Sequence, residues 1–126
     1  METIATNLAP AAIGAYSQAV VHQGVVYASG QIALRPDGTW AGGDAATQAQ
    51  QVLENMRAVL EAAGSSMDRV IKATIFLEDM ADFAAVNEVY ASFFCDHRPA
   101  RECVAAQGLP RGAAVEISCL AARAES

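Results

Sequence analysis

The stretch that decides the fold begins at Asp44 and ends at Gly64, and it reads DAATQAQQVLENMRAVLEAAG. Its apolar residues recur at intervals of three and four, the spacing of one face of an α-helix. Asp44 is a favourable N-cap, and Gly64 is a typical residue to end a helix. The pattern therefore predicts an amphipathic helix with one apolar stripe, which suits packing against a sheet. The stripe consists of Ala49, Val52, Leu53, Met56, Val59, Leu60 and Ala63.

Short strands are predicted before this helix. Segments 19–21 and 25–28 are rich in valine and flank the turn-like residues 22–24, which predicts a hairpin. The second strand is expected to continue through residues 29–32. Residues 35–38 contain proline, aspartate and glycine, which is typical of a turn.

The second half of the chain predicts a strand, a helix and two further strands. Val70 to Leu77 is rich in β-branched residues, which favours a strand. The final strands begin near Ala100 and Ala114, with residues 109–112 as the turn between them. The helix is expected to be capped by Asp79 or Asp82. Its buried stripe would consist of Phe83, Val86, Tyr90 and either Phe93 or Phe94.

This order of elements predicts an α+β fold, in which two one-sided helices cover one face of a mixed sheet. Nothing in the chain is left to cover the other face. If that face is apolar, as the valine-rich strands indicate, another subunit must cover it. We therefore expect one domain over residues 1–126, assembled as a homo-oligomer.

Composition supports an oligomer and limits the classes of partner. The chain is 53% apolar and only 17% charged, below the usual quarter for a globular chain. Its net charge is −6 and it contains no basic run, which argues against nucleic acid and against anionic membrane surfaces. No apolar run reaches the length of a membrane span, and no secretory signal is evident. The three cysteines suit a reducing compartment, so we expect a cytoplasmic protein.

Arg101 and Glu116 are the main candidates for chemistry. Arg101 lies on a segment, 98–104, that the pattern predicts to be a buried strand, and Glu116 is the carboxylate of the final strand. An arginine on an apolar strand usually has an acidic partner or a ligand anion. Strand alternation places Arg101 with Cys103 on one side and Glu102 on the other. Whether Arg101 and Glu116 share a face depends on register, so a structural ion pair from Arg101 to Glu116 or to Glu102 stays open.

Other polar residues carry weaker signals. Tyr16 and Ser29 lie in glycine-containing segments where a backbone can approach a ligand closely. His22 and His97 lie apart, without metal-like spacing, so both are expected to be solvated and no metal is expected. Cys103 has no histidine at an arranged spacing, which favours a packed thiol over a nucleophile.

Several separated motifs together resemble the RidA/YjgF family over nearly the whole chain. The segment 9–19 resembles its N-terminal signature, and the remaining motifs follow in family order. The later matching residues are 28–32, Asn55, 86–90, 99–101, 103–104, 109–110 and 115–117.

The resemblance implies a chorismate-mutase-like fold with a six-stranded mixed sheet, assembled as a homotrimer with active sites between subunits. It also implies hydrolysis of 2-imino acids, such as 2-iminobutanoate and 2-iminopropanoate, or their enamine tautomers, to 2-oxo acids and ammonia without a cofactor. In that family Arg101 would bind the substrate carboxylate, while Glu116 and Tyr16 would orient water. The pocket would be lined by Ser29, Gly30, Asn87 and Cys103.

Two departures from the family pattern keep other functions open. Arg98 stands where the family often has an aromatic residue, and Glu102 replaces a small residue after Arg101. These charges are compatible with a specialised deaminase acting on an aminomuconate-like enamine, and Glu102 of one subunit could pair with Arg101 of another. A chaperone-like or ligand-binding trimer without turnover is the alternative from another class. A ribonuclease, the activity ascribed to some members, fits poorly with the net charge of −6.

Overall fold

The structure is a computed structural model that describes residues 1–124. Its sheet has six strands and its two α-helices lie in the order that the sequence predicts. The strands are β1 (Glu2–Ile4), β2 (Ala19–His22), β3 (Val25–Gln31), β4 (Val70–Leu77), β5 (Ala100–Ala105) and β6 (Val115–Ala122). The helices are α1 (Ala45–Ala62) and α2 (Phe83–Ser92). Short 3₁₀ turns span Met67–Arg69, Met80–Asp82 and Pro110–Gly112.

The predicted start and end of α1 are confirmed. The Asp44 carboxylate accepts a hydrogen bond of 2.9 Å from the Thr47 amide, satisfying one of the free N–H groups of the first turn. Gly64 follows the C-cap with φ of +79°, a left-handed conformation that glycine adopts without strain. The stripe between them is buried against the sheet. Asp79 caps the 3₁₀ turn that leads into α2, whereas the Asp82 side chain makes no capping bond.

The sheet is mixed, with strand order β1-β2-β3-β6-β4-β5. All neighbouring pairs are antiparallel except β4 and β5, which are parallel. The last two strands are therefore not neighbours, because β4 lies between them. Strand β6 occupies the middle of the sheet, and β5 forms one edge.

Both helices cover the same face of the sheet. Val115, Ile117, Cys119 and Ala121 of β6 point to this face and are buried. Two buried polar side chains fix α1 in place. Asn55 donates hydrogen bonds to the carbonyls of Ile32 and Leu34, at 3.3 and 2.8 Å. Gln48 accepts a hydrogen bond of 2.9 Å from the Ala114 amide, which fixes the position where β6 begins.

The opposite face of the sheet is uncovered in the single chain. Tyr27 and Val104 point to this face, and each is 47% exposed. The prediction that segment 98–104 is buried is wrong for the single chain. Strand β5 is an edge strand with mostly exposed residues, because it has a neighbour on one side only. Within residues 1–124, no helix is long and apolar enough to cross a membrane.

Candidate active site

The sheet places Arg101 and Glu116 on opposite faces. Arg101 pairs in register with Ala73, which is buried under the helices, and its guanidinium reaches Asn87 of α2. Glu116 lies between Val115 and Ile117, which both point to the helices, so it points to the other face. The two residues do not form an ion pair in the single chain. The interpretation of Arg101 and Glu116 as a structural ion pair is therefore wrong within the chain.

Glu102 also points away from Arg101, as the alternation predicts. Its carboxylate lies 2.9 Å from the Lys72 ammonium and 3.5 Å from the Thr74 hydroxyl on the open face. The hydrogen bond from Lys72 and its charge lower the pKa of Glu102. The second ion-pair interpretation, Arg101 with Glu102, is therefore also wrong within the chain.

Glu116 is the central acid of a cavity of about 580 Å³, which we call the Glu116 cavity. Partial burial raises the pKa of its carboxyl group, because burial disfavours the charged form. Three of the predicted site residues, Tyr16, Ser29 and Gly30, lie in the same cavity. Its lining consists of Pro10, Ala11, Ile13, Tyr16, Gln18, Ser29, Gly30, Gln31, Ile32, Leu34, Pro110, Arg111 and Glu116.

Gly30 leaves the space that the Glu116 carboxylate occupies. A Cβ atom built on Gly30 would overlap the carboxylate oxygen of Glu116, and it would lie 2.9 Å from the carboxyl carbon. The pairing of β3 with β6 is irregular between Ala28 and Gln31, which brings this part of β3 over Glu116. Any side chain at residue 30 would displace the Glu116 carboxylate, so glycine serves close packing here rather than an unusual backbone angle.

Hydrogen bonds hold the loop that carries Tyr16 against β3. The Ser29 hydroxyl donates a hydrogen bond of 2.6 Å to the Ser17 carbonyl, and the Ser29 amide donates one of 3.0 Å to the Gln18 carbonyl. Tyr16 itself is 55% exposed, so its position depends on this loop more than on packing. Ser29 therefore links the exposed tyrosine to the strand that covers Glu116.

Gln18 and Arg111 are site residues that the sequence reasoning missed. Gln18 is only 4% exposed. Its Oε1 accepts a hydrogen bond of 2.7 Å from the Thr6 amide, and its Nε2 donates one of 2.7 Å to the Pro10 carbonyl. It thereby closes the loop from Thr6 to Tyr16. Arg111 has φ of +58°, which is strained for a residue other than glycine, and it lines the Glu116 cavity. The position of Gln18, a polar residue directly before a buried strand, was a signal that could have indicated a structural role. The turn that contains Arg111 offered no comparable signal.

Arg101 and Asn87 lie in a second cavity of about 850 Å³, which we call the Arg101 cavity. Arg101 Nη1 donates 2.6 Å to Asn87 Oδ1. The guanidinium also stacks over two rings, 5.0 Å from the centroid of Tyr90 and 5.5 Å from that of Phe83. The cavity is lined by Asn87, Tyr90, Ala91, Ser92, Phe94, Cys95, Arg98, Pro99 and Arg101.

Arg101 is oriented without losing its charge. An amide and two aromatic rings hold it, and within residues 1–124 it has no carboxylate partner. The predicted neighbour Cys103 is half-buried on the same side of β5 but lines neither cavity. Burial raises the pKa of its thiol, although the Arg101 charge partly opposes this. A neutral thiol suits a packing role.

The histidines differ from the expectation. His22 is exposed, but His97 is half-buried, and its ring hydrogen-bonds the Val70 carbonyl. The prediction that His97 is solvated is therefore wrong, because its ring ties the segment before Pro99 to the start of β4. Among the described residues, no group of three or more histidine, cysteine or acidic side chains could hold a metal ion.

Comparison with known proteins identifies the family. The family described as Endoribonuclease L-PSP, which is the RidA/YjgF family, matches residues 6–123. The chain belongs to the RidA/YjgF family.

Family members of similar sequence carry different names. Protein HMF1 of Saccharomyces cerevisiae is 46% identical over 114 residues, covering 90% of this chain and 88% of its own. The Escherichia coli protein named 2-iminobutanoate/2-iminopropanoate deaminase is 43% identical over 125 residues, covering 97% and 98%. The crystal structure of E. coli TdcF with bound serine has 41% identity and a TM-score of 0.93, covering 98% of this chain and all of that one (100%).

Proposed function

We propose that this protein is a deaminase of 2-imino acids and their enamine tautomers. In this reaction, water adds to the electrophilic carbon of the C=N bond, and the resulting tetrahedral adduct loses ammonia to give the 2-oxo acid. The imine carbon is already reactive, so holding the substrate and aiming a water can provide the catalysis without a cofactor. A relative that is 43% identical bears the name of this activity.

The observation that carries the proposal is the state of Arg101. Its guanidinium is held by Asn87 and two rings, and it faces a cavity where no acid of residues 1–124 pairs with it. A guanidinium fork matches a carboxylate in geometry and charge. Every 2-imino acid carries a carboxylate next to the reacting carbon, so Arg101 would fix that carbon in place. The serine bound to TdcF is likewise an amino acid with a carboxylate.

The Glu116 cavity supplies the groups that the water requires. Glu116 is a half-buried carboxyl group with a raised pKa, which suits proton exchange with water and with departing ammonia. Tyr16 and Ser29 place hydroxyl groups in the same cavity. We propose that Glu116 and Tyr16 orient the attacking water, while Ser29 and Gly30 line the pocket.

Because Arg101 and Glu116 lie on opposite faces, a complete site requires two subunits. We propose a homotrimer with a chorismate-mutase-like arrangement, in which the Arg101 cavity of one subunit meets the Glu116 cavity of the next. The exposed edge strand β5 and the uncovered sheet face support such an assembly. Cys103 would line the site only from within such an interface.

The activity is tested by trapping the imine. An amino-acid oxidase or a threonine dehydratase generates the imine, semicarbazide captures it, and hydrolysis by the added protein lowers the yield of the captured product. We expect the wild-type protein and the control Arg69→Ala to lower that yield, and Arg101→Ala to lose most of the effect. Arg69 is exposed and lines neither cavity. Equal activity of Arg101→Ala and wild type would overturn the role of Arg101.

Sharing of the site between subunits is tested by mixing inactive chains. Arg101→Ala and Glu116→Gln subunits are mixed in equal amounts, unfolded and refolded together. In a cyclic trimer, every mixed assembly has one site with both residues intact, so random mixing restores about one quarter of the wild-type sites. No recovery in verified mixed trimers would show that each chain holds its own site.

Two other functions give different results in the same assay. A ligand-binding trimer without turnover would bind 2-oxo acids but spare no imine from semicarbazide. The family description names an endoribonuclease, but a net charge of −6 gives little support for RNA binding. Degradation of RNA by wild type, lost in Arg101→Ala, would favour that activity instead.

A further inference from the structure

The Arg101 cavity is positively charged although the chain is acidic. The chain carries a net charge of −6, yet the charged residues that line this cavity are Arg98 and Arg101. Among residues 1–124, no aspartate or glutamate lines it. The Glu116 cavity differs, because it contains one arginine and one glutamate. The Arg101 cavity therefore offers two positive charges to a ligand.

Arg98 has no acidic partner within residues 1–124. The described ion pairs join Lys72 to Glu102 and Arg123 to Glu2. The Arg98 side chain also makes no hydrogen bond in the described part of the chain, in contrast to Arg101, which bonds Asn87. Arg101 is thus fixed by its surroundings, whereas Arg98 remains available to a ligand.

The local backbone holds Arg98 and Arg101 near each other. Only Pro99 and Ala100 separate them, so their Cα atoms are at most about 10 Å apart. Pro99 restricts its own φ and disfavours helical conformations at Arg98. His97, bonded to the Val70 carbonyl, ties the preceding residue to β4. Two guanidinium groups on this short, anchored segment can contact two carboxylates of one small molecule.

We propose that Arg98 binds a second carboxylate of the substrate, so that the preferred substrates are 2-imino or enamine acids with an acidic side chain. This inference rests on the proposed deaminase function and specifies its substrate class. Arg101 holds the carboxylate next to the imine carbon, and Arg98 holds the carboxylate of the side chain. Glu102, the other charge that suggested a specialised substrate, is bound to Lys72 on the opposite face of the sheet.

The test compares two imines that differ in the side-chain carboxylate. 2-Iminoglutarate and 2-iminobutanoate are generated from glutamate and 2-aminobutanoate by amino-acid oxidases, and kcat/KM is measured for each with the trimeric protein. We expect Arg98→Gln to lower kcat/KM for 2-iminoglutarate about fivefold, because an exposed ion pair contributes up to about 1 kcal/mol. Its kcat/KM for 2-iminobutanoate should stay within about twofold, since that substrate has no second charge.

Arg69→Gln is the matched control. It removes the same charge from an exposed arginine that lines neither cavity. A similar loss in this variant would indicate general attraction of a dianion and would overturn the inference. Arg98→Lys should recover part of the preference, because it restores the charge but not the guanidinium fork.

The result also separates this inference from the proposed function. If wild type and Arg98→Gln hydrolyse 2-iminobutanoate equally and keep the same preference, the role of Arg98 is overturned and the deaminase function stands. If wild type hydrolyses neither imine, the deaminase function fails, and thermal shifts with 2-oxoglutarate and 2-oxobutanoate decide the role of Arg98. The role of Arg98 would be supported if Arg98→Gln lost the thermal shift with 2-oxoglutarate but kept the one with 2-oxobutanoate. It would be overturned if wild type and Arg98→Gln showed equal thermal shifts with 2-oxoglutarate.

Discussion

The Glu116 cavity and the Arg101 cavity are built in different ways. The Glu116 cavity is bounded by a loop and a strand irregularity, and side-chain hydrogen bonds from Gln18 and Ser29 hold its walls. The Arg101 cavity lies beside an exposed edge strand and the end of α2, where two cations face open space. One cavity supplies a half-buried acid, and the other supplies two arginines with no acid from residues 1–124.

This difference indicates a division of labour. Activation of water requires a carboxyl group with a shifted pKa and a defined position. Partial burial shifts the pKa of Glu116, and Gly30 leaves room for its carboxylate. Recognition of an anion requires a cation that is oriented but not neutralised, and Asn87 with the aromatic rings provides this for Arg101. The division can be tested by changing each cavity separately.

The largest effect is expected from Glu116→Gln. The substitution keeps the shape of the side chain but removes proton exchange, so kcat should fall by roughly 10²–10⁴ with a smaller change in KM. The wild-type rate should fall on the acid side as pH drops through the pKa of Glu116, which burial raises above its ordinary value. This acid limb should be absent in Glu116→Gln. Steady-state kinetics of both proteins, from neutral pH down through the acid limb, provide the measurement.

Stability provides the control for Glu116→Gln. Because burial raises the pKa of Glu116, the folded protein retains a proton that the unfolded chain has lost. That stabilising contribution is complete below the ordinary pKa and disappears as pH rises through the folded value. At neutral pH, Glu116→Gln should therefore have a Tm equal to or above that of wild type. A lower Tm together with lost activity would indicate misfolding instead of lost chemistry.

An intermediate effect is expected from Gly30→Ala. The added methyl group would displace the Glu116 carboxylate, so kcat should fall by about 10- to 100-fold, as for misplaced catalytic groups. Binding of a 2-oxo acid at the Arg101 cavity should change little in the same variant. Kinetics and ligand-induced thermal shifts measure the two properties separately.

Gly108→Ala is the matched control for Gly30→Ala. No atom lies within 4 Å of a Cβ built on Gly108, and its backbone does not require glycine. It should leave both activity and Tm unchanged. If Gly30→Ala were as active as Gly108→Ala, close packing on Glu116 would not be needed for the reaction.

Local patterns predicted the elements of the fold correctly. The spacing of the apolar stripe and its flanking residues gave both ends of α1, because Asp44 and Gly64 act on neighbouring backbone groups. Alternation also placed Glu102 opposite Arg101 without knowledge of the sheet. These predictions depend on interactions between residues close in the sequence, which a single sequence displays directly.

The local sequence pattern could not predict which strands are neighbours in the sheet. Insertion of β6 between β3 and β4 moves Glu116 to the middle of the sheet, and no local signal specifies that position. It also leaves β5 at the edge, so an apolar segment that resembles a buried strand is exposed in the single chain. Family resemblance named Tyr16, Ser29 and Gly30 as companions of Glu116, and the structure brings these four together. It brings Arg101 to Asn87 instead, and in the proposed trimer a second subunit would join the two groups.

The smallest effect is expected from Glu102→Gln. Glu102 is paired with Lys72 on the open face of the sheet, whereas the Arg101 guanidinium faces α2. Both members of the Lys72 pair are about half exposed, at 45% and 55%, and such pairs contribute little. We expect kcat, KM for 2-iminobutanoate and Tm to match wild type, and Lys72→Gln to behave in the same way. A clear decrease of KM in Glu102→Gln, without one in Lys72→Gln, would contradict this expectation. It would mean that Glu102 of a neighbouring subunit competes with the substrate carboxylate for Arg101, which would extend the Arg101 cavity across the subunit boundary.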